Sequence, residues 1–226
     1  LFRRLTTPKP HEVKMSVGLD VGFAAVKAVA LGACRGNGAR PVIGHSLVPL
    51  QPGQDADPSA AIKKALSELK VPVWTATLGG SGQWVVMRIV EMPTMTPGEL
   101  KQALAFEAQR YLPFNLQEVV IDGVMLGPSD AHKTWVLIVA CKKELLERKI
   151  DWGKRSGVEI GLVDVDALAI ANGFLANVRS EKALSACAII NVGAQLTNLV
   201  ILKDHTPHLM RDIPWGGDKL TRNVAE

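Results

Sequence analysis

Asp20, Gly22 and Lys27 form an acid, a glycine two residues later and a lysine five beyond that. Residues of these types can do phosphate chemistry. A glycine at a strand-to-strand turn lets backbone N–H groups approach an anion closely. The acid before it can hold Mg²⁺ through water or orient an attacking water. The lysine adds positive charge against the phosphates. Asn191 and Gly193 repeat the first two positions about 170 residues later, with an amide in place of the acid. Two such turns facing each other could clamp the phosphates of a nucleotide.

The elements that must position these residues are short and regular. Segments 16–22 and 24–31 read as two apolar strands turning at Gly22-Phe23, with a further turn at Gly36-Asn37-Gly38 and a third strand at 41–50. Asp57 is the expected N-cap of a helix with Pro58 at its first position, and Ile62, Ala65, Leu66 and Leu69 form its apolar stripe. Strands are expected at 73–78 and 83–90 around Gly79-Gly80-Ser81-Gly82. Thr96-Pro97-Gly98-Glu99 is a capping box opening a helix to about Tyr111, stopped by Pro113. Segments 117–126 and 133–141 read as antiparallel strands. A helix over 142–155 ends at Gly157, strand 158–165 follows, and a helix over 167–178 has Asp166 as its expected N-cap. Strands at 186–192, 196–203 and 208–213 precede Gly216-Gly217, which open a last helix.

SVGLDVGFAAVKAVAL and CAIINVGAQLTNLVIL share one pattern: an apolar strand, Asp or Asn, any residue, Gly, a tight turn and a second apolar strand. A duplicated fold explains this. Composition agrees with a soluble globular chain. It has 226 residues, 47% hydrophobic and 21% charged, enough apolar material to exclude disorder. Net charge is +4. Arg3, Arg4, Lys9 and Lys14 concentrate the excess at the front, either as a solvated tail or as an attraction to an anionic membrane surface. Basic residues are not interleaved with aromatics, which argues against a nucleic-acid partner. Cys34, Cys141 and Cys187 are far apart and fit a reducing compartment. No apolar run approaches the ~18 residues a membrane span needs.

Asp20, Gly22 and Lys27 resemble the phosphate-1 loop of the actin, Hsp70 and sugar-kinase superfamily. Asn191-Val192-Gly193-Ala194 resembles its phosphate-2 loop, and Gly216-Gly217-Asp218-Lys219-Leu220-Thr221 resembles the glycine turn and helix that follow. Within that superfamily the chain resembles the PilM family of type IV pilus assembly proteins over about 15–226. The residues that carry this are Arg88-Ile89-Val90-Glu91-Met92-Pro93, Glu99 to Ala103, Phe106-Glu107-Ala108 and Tyr111-Leu112-Pro113-Phe114.

The resemblance implies an α/β, actin-like fold of the duplicated ribonuclease-H-like kind, with an inserted 1C subdomain and domain 2 incomplete. Its expected divisions are a basic tail at 1–14, the first part of subdomain 1A at 15–90, and 1C at 91–164. A return through a connecting helix at 165–185 and the start of domain 2A at 186–226 complete it. It implies a cytoplasmic protein, peripheral at the inner membrane, that holds the cytoplasmic tail of a PilN-like membrane protein in a channel between 1A and 1C. Arg88, Pro93, Tyr111, Pro113 and Phe114 are the candidate groove residues. Other inner-membrane pilus components and self-association stay open as partners. It implies ATP with Mg²⁺, the metal held through Asp20, in a longer family member rather than in these 226 residues.

Two departures weigh against an enzyme. Asn191 stands where the superfamily has Asp, and an amide cannot act as a base or neutralise Mg²⁺. Phe23 stands where a hydroxyl residue is common. In the complete protein, Asn191→Asp should raise turnover if only that group is missing. The readings that compete with an adaptor are an active ATPase or phosphotransferase and an L-type cytoplasmic protein of type II secretion. His205 and His208 flank Pro207 in an expected turn, which argues against a shared metal. Asp164 and Asp166 lie at a strand end, Asp166 as a cap. Trp74, Trp84, Trp135, Trp152 and Trp215 are expected to pack.

Overall fold

The computed structural model describes residues 15–34, 40–51, 56–82, 84–113, 115–177 and 185–225. The basic tail at 1–14, the turn at 36–38 and Phe114 lie outside the described residues. The chain divides into two compact units. The first comprises residues 1–80 and 146–164, the second 81–145 and 165–226.

The first unit is a five-stranded sheet of β1 (Ser16–Val21), β2 (Ala25–Leu31), β3 (Val42–Pro49), β4 (Thr75–Gly80) and β8 (Glu159–Val165). Its order is β3-β2-β1-β4-β8. β1 to β3 form an antiparallel meander, and β1 pairs parallel with β4 through Gly18↔Thr77 and Leu19↔Leu78. Alternation decides the faces: Val26, Ala28 and Ala30 of β2 are buried while Lys27 and Val29 point out. Helix α1 (Ser59–Glu68) lays Ile62 and Ala65 on that core, and α3 (Lys143–Ser156) adds Trp152. The Ser156 hydroxyl donates to the Ser59 carbonyl at 3.0 Å, tying the two helices together.

Asp57 acts one residue away from its expected place. The helix begins at Ser59, with Pro58 in the cap position. Asp57 Oδ1 still accepts from the Ser59 hydroxyl at 2.6 Å and the Ser59 N–H at 3.2 Å. The Ser59 hydroxyl, then the Ser59 N–H and the Arg155 guanidinium hold its carboxyl below the ordinary value.

The second unit holds two three-stranded antiparallel sheets. One has β5 (Val85–Pro93) and β6 (Val119–Pro128) flanking β7 (Lys133–Lys142). β7 is buried on both faces from Val136 to Cys141, which explains its unbroken apolar run. Helix α2 (Pro97–Ala108) covers this sheet with Leu100 and Leu104. Its capping box forms: the Thr96 hydroxyl accepts from the Glu99 N–H at 3.3 Å, and Glu99 Oε2 accepts from the Thr96 N–H at 2.7 Å. Those bonds, the backbone one first, hold Glu99 below its ordinary pKa. The stabilisation is therefore present above that ordinary value and is lost as pH falls through the lower, folded one. The helix ends at Ala108 rather than near Tyr111, well before the restriction that Pro113 imposes. Gly123 permits the close packing, since a Cβ there would lie 2.7 Å from Leu104.

The other sheet has the order β11-β10-β9, from β9 (Ala186–Val192), β10 (Thr197–Lys203) and β11 (Thr206–Ile213). Helices α4 (Asp166–Asn177) and α5 (Gly217–Ala225) complete the unit. Asp166 is the first residue of α4 rather than a residue ahead of it.

The inserted segment expected at 91–164 divides differently. β5 enters its sheet from Val85, while residues 146–164 belong to the first unit because β8 pairs beside β4. One tryptophan expected to pack does not: Trp74 is 81% exposed, whereas Trp215 is 38% exposed.

Candidate functional site

The two turns are built alike. In the first unit the Gly22 N–H donates to the Ala25 carbonyl at 3.1 Å; in the second the Gly193 N–H donates to Leu196 at 2.9 Å. Each is the closing bond of a two-residue hairpin loop. A Cβ on Gly193 would lie 2.8 Å from the Leu196 carbonyl oxygen, so the turn needs glycine there.

What differs is the pair of side chains one step back. Asp20 and Lys27 are direct cross-strand partners, and Lys27 Nζ meets Asp20 Oδ2 at 2.8 Å. Both are about half exposed, so the pair itself contributes little, of order 0–1 kcal/mol. It keeps the carboxylate and the ammonium together beside the turn. Phe23 sits in that loop half exposed. At the equivalent place in the second unit Asn191 faces Asn198, and Asn191 Nδ2 donates to Asn198 Oδ1 at 3.0 Å. This pair carries no charge.

Gly216 and Gly217 come to the Asn191–Gly193 turn. The Gly217 N–H donates to the Gly193 carbonyl and the Asp218 N–H to Ala194, each at 2.9 Å. Thr197 Oγ1 donates to the Trp215 carbonyl at 2.8 Å. A Cβ on Gly216 would overlap the carbonyl oxygens of Gly193 and Ala194. Asn191, Gly193, Gly216 and Gly217 are thus one constellation within the second unit, and Asp20, Gly22, Phe23 and Lys27 are one within the first.

The second unit also contains a cavity of about 390 Å³. Residues 85–88 of β5 and 210–212 of β11 line it, with Gly82, Pro113 and Leu196. Consecutive residues lining one wall mean that strand edges, not faces, border the space. β5 and β11 are both outer strands of their sheets. Arg88 and Pro113, two of the expected groove residues, are here. Pro93 is at the far end of β5, and Tyr111 packs half-buried against the α2 core. Arg88 Nη1 donates to the Met87 carbonyl at 3.0 Å and Arg211 Nη1 to Met210 at 3.1 Å.

Asn198 and Asp212 were not among the expected residues. Asn198 had a signal in the sequence: it follows Asn191 by the spacing that separates Lys27 from Asp20. Asp212 had none, because only the β10–β11 register brings it opposite Asn198. His205 lies in the β10–β11 turn with φ +63°, and His208 lies on β11 edge-on to Trp135 with ring centroids 6.2 Å apart. Among the described residues no helix is long and apolar enough to cross a membrane.

Comparison with known proteins matches this geometry. In solved structures the chain is similar to the chain in a PilM-PilN type IV pilus biogenesis complex, with TM-score 0.78 and 25% identity. That match covers 94% of this chain and 65% of the other, so the chain spans about two thirds of its relative's length. It is also similar to the cytoplasmic domain of EpsL, an inner membrane component of the type II secretion system of Vibrio cholerae. There the TM-score is 0.57 at 14% identity, covering 94% and 75% of the two chains. A Bacteroides thetaiotaomicron protein with an actin-like ATPase fold and unknown function matches with TM-score 0.50 and 8% identity, covering 94% and 75%. The last two likenesses show the fold, which is actin-like. The model of the type IV pilus assembly protein PilM family matches residues 18–226. The chain therefore belongs to the PilM family of type IV pilus assembly proteins.

Proposed function

We propose that this chain is the adaptor part of a cytoplasmic, actin-like protein of the type IV pilus inner-membrane complex, one that grips the extended tail of a PilN-like membrane protein. The observation that carries this reading is the open edge of β5 beside the cavity. Val85 and Met87 are buried and Arg88 sits at the rim, while the outer backbone of β5 pairs with no described strand. An extended peptide can add there as a further strand, gaining main-chain hydrogen bonds, with alternate side chains entering the cavity. The relative of 25% identity, solved as a PilM-PilN complex, supports the kind of partner. The protein reaches the inner membrane through that partner.

Nucleotide acts in this reading as a switch rather than as a substrate. Asp20 and Lys27, held together beside the Gly22 turn, fit an Mg²⁺–phosphate pair, which supplies the charge that separates them. The uncharged Asn191–Asn198 pair supplies no base for an attacking water.

The test is a calorimetric titration with a synthetic peptide of the PilN-like amino terminus from the same genome. Saturable one-to-one binding is expected. Val86→Arg, which fills the cavity with a charged side chain, should weaken it at least about tenfold, or 1.4 kcal/mol. Lys64→Glu, on the exposed face of α1, should leave it unchanged. Equal affinity of Val86→Arg and the parent would remove the β5 edge as the seat.

A further inference from the structure

Asn191, Asn198 and Asp212 stand in one row across the β9-β10-β11 sheet, each the direct cross-strand partner of the next. Hydrogen bonds run along the whole row. Asn191 Nδ2 donates to Asn198 Oδ1 at 3.0 Å, and Asn198 Nδ2 donates to Asp212 Oδ1 at 2.7 Å. The other Asp212 oxygen, Oδ2, accepts from the Gly82 N–H at 2.6 Å. Asn198 is 4% exposed, so leaving either end of its amide unpaired would be costly.

The carboxylate sets the direction of every bond. Asp212 can only accept, and one of its oxygens already serves a backbone donor. Asn198 must therefore turn its NH₂ to Asp212 and its oxygen to position 191. Asn191 must answer with its own NH₂, which leaves its Oδ1 as the group not committed to the row.

We infer that Asp212 and Asn198 are positioning residues that fix the Asn191 amide, so that the glycine turn presents an uncharged acceptor oxygen suited to a hydrogen-bond donor such as a Mg²⁺-bound water. The carboxylate expected at position 191 stands at the other end of the row. The choice of ligand rests on the proposed nucleotide switch; the row does not.

The consequence is a polarity rule. Asn191→Asp alone sets a carboxylate against the Asn198 oxygen, so restoring the acid alone costs the row a hydrogen bond. Asp212→Asn alone reverses the row: the amide now at position 212 gives its oxygen to Gly82 and its NH₂ to Asn198, and Asn191 then presents a donor. The double change N191D/D212N lets both ends reverse together with every group paired.

Thermal unfolding of this chain without nucleotide tests the row directly. Asn191→Asp is expected to lower the midpoint by about 3 °C or more, and the double variant to return to within about 1 °C of the parent. Additive losses, or an unchanged Asn191→Asp midpoint, would overturn the inference. Should the single variant fail to fold, the parent decides: slow solvent exchange of the Asn198 side-chain NH₂ supports the row, and fast exchange refutes it. Calorimetry with Mg²⁺–ATP on a longer family chain that contains these residues then tests the ligand. Weaker binding by Asp212→Asn supports an acceptor at 191. Unchanged binding removes the ligand assignment while leaving the unfolding result standing.

Discussion

Ile138→Ala is expected to lower the stability of the second unit by roughly 2–5 kcal/mol and to weaken peptide binding with it. Ile138 is fully buried in the middle of β7, packed with Val136 under Leu100 and Leu104 of α2. Removing three carbons there loses their transfer energy and leaves a cavity, because β7 is held on both sides and cannot collapse into it. The same residue is the direct cross-strand partner of Arg88. β5 pairs only with β7 among the described strands, so loosening β7 loosens the edge offered to a tail. Denaturant unfolding measures the first effect and peptide titration the second. A loss below about 1 kcal/mol would mean that the neighbours relax into the space and that β7 is not held as tightly as its pairing implies.

Gly216→Val should cost about 3 kcal/mol or more, by a different mechanism. The obstacle is backbone rather than a flexible side chain. A Cβ at 216 runs into the carbonyl oxygens of Gly193 and Ala194, the same oxygens that accept from Gly217 and Asp218. Relief requires pulling α5 away from the turn, which breaks both bonds and leaves the carbonyls unpaired. Gly217→Ala is the control, since a Cβ there lies 3.8 Å from the Gly193 oxygen and fits. Comparable unfolding midpoints for the two variants would show that the turn yields easily.

Much of this architecture is legible in the sequence. Both hairpins show because Gly22 and Gly193 end apolar strands, and local chemistry settles a two-residue turn. The capping box at Thr96 and Glu99 shows for the same reason: its bonds span three residues. What escapes depends on pairing between distant residues. Asp212 reaches Asn198 only through strand register, and Gly82 reaches Asp212 only through the fold of the unit. Nothing local marks a direction of hydrogen bonding in a row of three side chains. The limits of the inserted segment escape likewise. Whether 146–164 returns to the first sheet depends on which edge β8 finds, and its own residues show only that it is a strand. Asp57 misses its expected place by one residue because Pro58 occupies the cap position without a side-chain hydrogen bond to offer.

An open β5 edge that takes up an extended tail has a direct signature in backbone hydrogen exchange, read with and without a saturating PilN-like amino-terminal peptide. The amides of Met87 and Ile89, which point away from β7, are expected to exchange more slowly when the peptide is bound, while those of Val86 and Arg88, which face β7, and those of the central strand β7 change little. Peptide binding that leaves Met87 and Ile89 exchanging as before would refute the β5 edge as the place where the tail is held.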